Sequence, residues 1–159
     1  MKRIVIFGLG SELYGMDIYE LQEIIRMVEI THIPKAPSFI EGVINLRGKV
    51  IPVIDLKKKF GIKGDDNPSE RRIIVANVGG QTAGLIVDRV SEVTSVRDED
   101  IEPPPAVLEL EGRFINGLAK LGERIVILLK ADEILNAMEK KELKNLSEEG
   151  TKDEASQNI

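Results

Sequence analysis

Apolar residues in this chain come in short runs punctuated by glycine, and the runs predict strands. Ile4–Leu9 is the first. Val43–Leu46 and Lys49–Ile54 flank Arg47-Gly48, Arg72–Val78 and Gln81–Val87 flank Gly79-Gly80, and Ile115–Leu121 and Arg124–Leu129 flank Gly122-Glu123. Each pair reads as a hairpin, because a two-residue turn needs positive φ, which glycine adopts without a Cβ penalty. Val90–Val96 is a further strand, and Pro52, which has no N–H, marks an edge or a bulge in its run. Helical patterning is rarer. Asp17 with Glu20 three residues later fits a capping box. Ile18, Leu21, Ile24, Ile25 and Val28 follow at helical spacing, which predicts a short amphipathic helix over Ile18–Met27. Asp55 caps a one-turn helix over Leu56–Phe60, closed by Gly61. Ala131–Leu143 reads as a helix with Ile134, Leu135 and Met138 on one face. Gly64–Glu70 is a polar loop, Arg97–Val107 a loop stiffened by Pro103, Pro104 and Pro105, and residues 144–159 a polar tail expected to be disordered. Short strands with regular turn signals indicate small barrels rather than a sandwich or a βαβ sheet.

The 159 residues suffice for one compact domain or two intimately packed small ones. A barrel of half that length is marginal alone. The net charge of -5 disfavours nucleic acid, whose phosphates need clustered Lys and Arg. There is no cysteine, which removes disulfides, thiolate metal ligands and cysteine nucleophiles and suits a reducing cytoplasm. No apolar stretch approaches the roughly 20 residues of a membrane span, so any work at a membrane requires a partner that holds the chain there.

Several motifs fail on inspection. Gly8-Leu9-Gly10 opens like a dinucleotide fingerprint, but Leu13 stands where the third glycine belongs. Gly42 to Gly48-Lys49 has five intervening residues instead of the four of a P-loop, with Val50 in place of the magnesium-binding hydroxyl. Asn145-Leu146-Ser147 is a sequon of a kind common by chance. His32 is the only histidine and has no Gly-x-Ser-x-Gly elbow to serve, nor partners for zinc. Asp98, Glu99, Asp100 and Glu102 read as a solvated acidic loop. No catalytic residue, metal site or cofactor is expected. A metabolite-binding small β-barrel remains an alternative; it requires a closed apolar pocket with convergent polar groups, and an aromatic content of 4% argues mildly against it.

Several blocks together resemble CheW-type chemotaxis coupling proteins. Phe39-Ile40-Glu41-Gly42-Val43-Ile44-Asn45-Leu46-Arg47-Gly48, followed by Ile51-Pro52-Val53-Ile54-Asp55-Leu56, is similar to that family's central block. Tyr14-Gly15-Met16-Asp17 and Leu21-Gln22-Glu23-Ile24-Ile25 match its upstream segment. Gly84-Leu85-Ile86-Val87-Asp88-Arg89-Val90 and Asp100-Ile101-Glu102-Pro103-Pro104-Pro105 match its second half. The resemblance runs from about Ile4 to about Met138. One departure is Lys130, where the family often has an acidic residue.

The resemblance implies a mainly β fold of two intertwined five-stranded SH3-like β-barrels with a short helix near the N-terminus and a C-terminal helix. It implies one barrel over about 15–80 and a second built from 1–14 plus 81–135, within a single domain over 1–143. It also implies a cytoplasmic adaptor, not an enzyme, that is recruited to membrane-associated arrays. The adaptor couples the cytoplasmic tips of methyl-accepting chemoreceptors to the regulatory domain of a CheA-type histidine kinase; a paralogue serving another sensory array is a variant of the same reading. Leu21, Glu23, Arg47, Gly84, Val90 and Val93 are the expected receptor-binding residues, with Arg47 pairing Glu23. Gly42, Ile44 and Val50 are the expected kinase contacts. On periodicity alone Leu21 is core, barrel core is an equal reading for Ile44 and Val50 and a strong rival for Val90 and Val93, and Gly84 suits a close backbone approach.

Overall fold

The computed structural model describes residues 1–64, 67–105 and 114–146. In chain order the first strands are β1 (Lys2–Leu9), β2 (Glu12–Asp17), β3 (Leu21–Arg26), β4 (Ile40–Leu46) and β5 (Lys49–Asp55). After helix α1 (Leu56–Phe60) come β6 (Arg72–Val78), β7 (Gln81–Val87), β8 (Arg89–Val96), β9 (Ile101–Glu102), β10 (Ile115–Leu121) and β11 (Arg124–Leu129). A last helix, α2, occupies 137–146. The strands form two sheets, β3-β6-β7-β5-β4 and β8-β1-β2-β11-β10-β9. The architecture is mainly β and SH3-like, as expected, although the second sheet gains a sixth strand in the two-residue β9. Each sheet is antiparallel except for one parallel pairing, β5 with β7 and β2 with β11.

Strand alternation explains why so many strands are apolar on both faces. Ile4 and Ile6 of β1 pack with Val96, Ala119, Val126 and Leu128 inside one barrel. Ile73 and Val75 of β6 pack with Ile44, Ile51, Val53 and Ile86 inside the other. The opposite faces, Val5, Phe7 and Leu9 on β1 and Ile74, Ala76 and Val78 on β6, meet in a third core shared by both sheets. Period-2 side-chain direction thus sends one face of each strand into its own barrel and the other into the common layer. Aromatic rings run through that layer, Phe7 on Tyr14, Tyr14 on Phe60 and Phe60 on Phe114, with centroids 6.2, 6.2 and 4.4 Å apart. Burial pushes the Tyr14 hydroxyl above its ordinary pKa.

A buried ion pair ties the barrels together at one end. Asp88, 4% exposed, links β7 to β8. It accepts from the Gly10 N–H at 2.8 Å and faces Lys57 Nζ of α1 at 3.2 Å. Helix α2 packs against α1 and β7 of the central barrel. Asn136 and Glu139 cap it reciprocally, each backbone N–H donating to the other's side chain at 2.9 and 2.8 Å. Glu139 also meets Lys59 at 2.7 Å, and Leu143 is fully buried in the shared core.

Three hairpin turns fall where the sequence puts them, with Arg47-Gly48 and Gly79-Gly80 at positive φ. Asp55 accepts from Lys57 and Lys58 N–H and Gly61 closes α1 in the left-handed region, as expected. Pro52 lies opposite Val43 of β4, one residue before the parallel ladder with β7 begins.

The helix expected over Ile18–Met27 is a correction. Only Ile18–Glu20 turns, as a 3-10 turn, and Leu21–Arg26 pairs with β6. A bulge between Leu21 and Glu23 puts Leu21 and Ile24 on one face although they are three residues apart, which imitates helical spacing. The capping box does not close: Asp17 accepts from the Tyr19 N–H at 3.0 Å, and Glu20 accepts instead from the Ala131 N–H at 3.3 Å. The final helix also differs. Ala131–Glu133 is a separate 3-10 turn and α2 starts later, so 144–146 are helical rather than tail. Residues 147–159 of the expected tail lie outside the described residues. The sheets divide the chain near 17–21 and 87–89 rather than near 15 and 80, since all of Gln81–Val87 pairs within the central sheet.

Candidate functional site

The central sheet and its neighbour each leave one strand at an edge next to their shared core, and these two strands, β3 and β8, frame a groove. Opposed residues in an antiparallel ladder project to the same face. Leu21 and Ile24 sit opposite Ala76 and Ile74, which point into the shared core. On β8, Val90 and Val93 sit opposite Phe7 and Val5, which point into the same core. A bulge between Ile6 and Phe7 brings Val90 and Val93 to one side. The groove is therefore the open margin of the shared core. It has a volume of about 320 Å³ and is lined by Ile24, Val90, Glu70, Arg72 and Arg89. Leu21 and Val90 are half-buried against the core, while Ile24 and Val93 are 36% and 46% exposed. An apolar stripe of this kind continues a hydrophobic interior out to solvent, which is how a partner helix is received.

Glu23 and Arg47 stand on the other face of β3. Glu23 sits opposite Val75, which points into the central barrel. Arg47 occupies the β4–β5 turn at φ 53°, with the Asn45 side chain accepting from the Gly48 N–H at 2.8 Å. Its guanidinium donates in a fork to both Glu23 oxygens, Nη1 to Oε2 at 2.7 Å and Nη2 to Oε1 at 2.5 Å. The hydrogen bond holds the Glu23 carboxyl below its ordinary range and Arg47 above its own. Because β3 and β4 are the two edges of the central sheet, this pair spans the seam where the barrel curls toward itself. The expected pairing is present, but β3 separates it from Leu21 and Val90.

Gly84 is buried in β7, and a Cβ there would come within 2.8 Å of Ile73 Cγ2 inside the central barrel. It faces inward, where the missing Cβ makes room for Ile73. Two expected kinase contacts are also buried in this chain. Ile44, 2% exposed, belongs to the central barrel's core. Gly42 is buried at a bulge with φ 147°, and a Cβ would lie 2.0 Å from the Thr31 carbonyl oxygen, beside the Thr31–Val43 bridge. Val50, the third, is half-buried opposite the exposed Asn45. Ile24 is the groove residue the sequence reading missed. Its signal was an isoleucine placed on the helix's apolar face that a strand leaves partly in water.

The CheW-like domain family matches residues 3–139. The chain is similar to the chemotaxis protein CheW of Klebsiella aerogenes, 40% identical over 139 residues, covering 87% of this chain and 84% of that protein. It is 34% identical to the CheW of Treponema pallidum over 151 residues, covering 91% and 88%. Among solved structures, the scaffolding protein TtCheW of Thermoanaerobacter tengcongensis superposes with a TM-score of 0.80 at 48% identity, covering 86% of this chain and 88% of that one.

Proposed function

The chain belongs to the CheW-like family of chemotaxis adaptors and scaffolds, and from that premise we propose that it links the cytoplasmic tips of chemoreceptors to the regulatory domain of a CheA-type histidine kinase. It works by position, without chemistry of its own, in the cytoplasm at receptor arrays. Among the described residues no helix is long and apolar enough to cross a membrane.

The observation that carries this reading is the groove between β3 and β8. Leu21, Ile24, Val90 and Val93 present apolar surface along the margin of a rigid double core, a fit for the apolar stripe of a helical receptor tip. Glu23 and Arg47 hold β3 to the β4–β5 hairpin and so fix one wall of that groove. Val50, on the same hairpin and away from β8, belongs to the kinase side.

Binding of a purified receptor signalling fragment and of the isolated kinase regulatory domain tests this. Wild type binds both. Val90→Asp loses the receptor fragment and keeps the kinase domain, and Val50→Asp does the reverse. Arg47→Glu, which sets two carboxylates against each other, stays folded and loses receptor coupling. A wild-type chain that binds neither partner contradicts the assignment.

A further inference from the structure

Three arginines stand at one end of the groove with no carboxylate in ion-pair reach among the described residues. Arg72 and Arg89 line it. Arg72 donates only to the backbone carbonyls of Ser69 and Arg71, at 3.1 and 2.8 Å, and Arg89 only to that of Gly10, at 3.3 Å. Arg26 is exposed and lies directly opposite Arg72 in the β3–β6 ladder. Like charges opposed in a sheet work against it. By contrast, Arg47, Arg97 and Arg124 each face a carboxylate. A positive cluster in a chain of net charge -5 is therefore a local exception, and it rims an apolar floor.

We propose that this rim selects an acidic partner: a helix whose apolar stripe fills the groove and whose flank carries Asp or Glu side chains that pair with Arg26, Arg72 and Arg89. Guanidinium forks suit carboxylates on a docked helix. An extended polyanion is disfavoured by Glu70 in the same rim and by the apolar floor. The proposal deepens the receptor-groove reading and rests on it.

The test is binding of the receptor signalling fragment across about 0.05 to 0.5 M salt, where screening of exposed charges changes most. Arg26→Glu removes no intramolecular bond and relieves the clash with Arg72, so its melting temperature stays equal to wild type or rises. Its affinity falls about fivefold at low salt, the loss of one good exposed ion pair, and its salt dependence flattens. Arg89→Glu repeats the affinity loss and the flatter salt dependence, while giving up the bond to the Gly10 carbonyl. If both bind as wild type with the same salt slope while Val90→Asp fails, the rim plays no part and the groove reading stands. If Val90→Asp also binds normally, the groove reading falls and this proposal with it.

Discussion

The two barrels follow one plan and differ in how the chain builds them. The central barrel is contiguous: all five of its strands lie between Leu21 and Val87. The other joins both ends of the chain, pairing Leu13–Met16 of β2 with Val126–Leu129 of β11 across more than a hundred residues. Its own core is lighter, with Ala119 among six buried residues, whereas the central barrel's six are all Ile or Val. Neither core matches the shared layer, which holds Phe7, Tyr14, Met16, Leu56 and Leu85. The comparison teaches that the composite barrel, dear in loop closure, is stabilised through its neighbour rather than through itself. The pair is then one folding unit and one rigid body, which a positional adaptor requires.

The strongest challenge to that view is Phe7→Ala. Phe7 belongs to the composite barrel but is fully buried in the shared layer. Truncation costs about 3–5 kcal/mol, and calorimetry shows a single transition at lower temperature; two separated transitions indicate barrels that fold apart. Asp88→Ala comes next, at about 3 kcal/mol, since it leaves the Gly10 N–H without its acceptor and Lys57 without this partner. Urea unfolding reads it as a shift in midpoint with little change in slope. Gly84→Ala, confined to the central barrel, overpacks Ile73 and costs about 1–3 kcal/mol, while receptor affinity stays unchanged per folded molecule.

A finer contrast is in pH. Glu23, in the central barrel, has a folded pKa held below its unfolded one by the Arg47 hydrogen bond. Its contribution is complete above the ordinary glutamate range and is lost as pH falls from that range through the lowered folded value. Glu20, at the edge of the composite barrel, is raised, chiefly by burial and against the Ala131 hydrogen bond. Its ionisation therefore weakens the fold as pH rises from the ordinary glutamate range through the raised value. Arg47→Ala melts with a flatter acid limb than wild type. Glu20→Gln keeps an acceptor for Ala131 and melts at or slightly above wild type at neutral pH.

The hairpins were legible because their turns announce themselves: Gly79-Gly80, Gly122-Glu123 and Arg47-Gly48 each bound runs that pair as read. Strands with two apolar destinations were not. Glu12–Asp17 went unread because Tyr14, Gly15 and Met16 are all buried and alternate with nothing. Leu21–Arg26 read as helix because a bulge shifted its faces. At the site, the Glu23–Arg47 pair and the placement of Val90 and Val93 came through resemblance to relatives. That Gly42, Ile44 and Gly84 are all buried depends on barrel curvature, which no local pattern encodes.

Sedimentation of the chain with both the receptor fragment and the kinase regulatory domain tests most directly whether one rigid body carries two separate docking faces. The account predicts a single species containing all three proteins, with each partner's affinity unchanged by the other or improved. Partners that displace one another from the chain would contradict it.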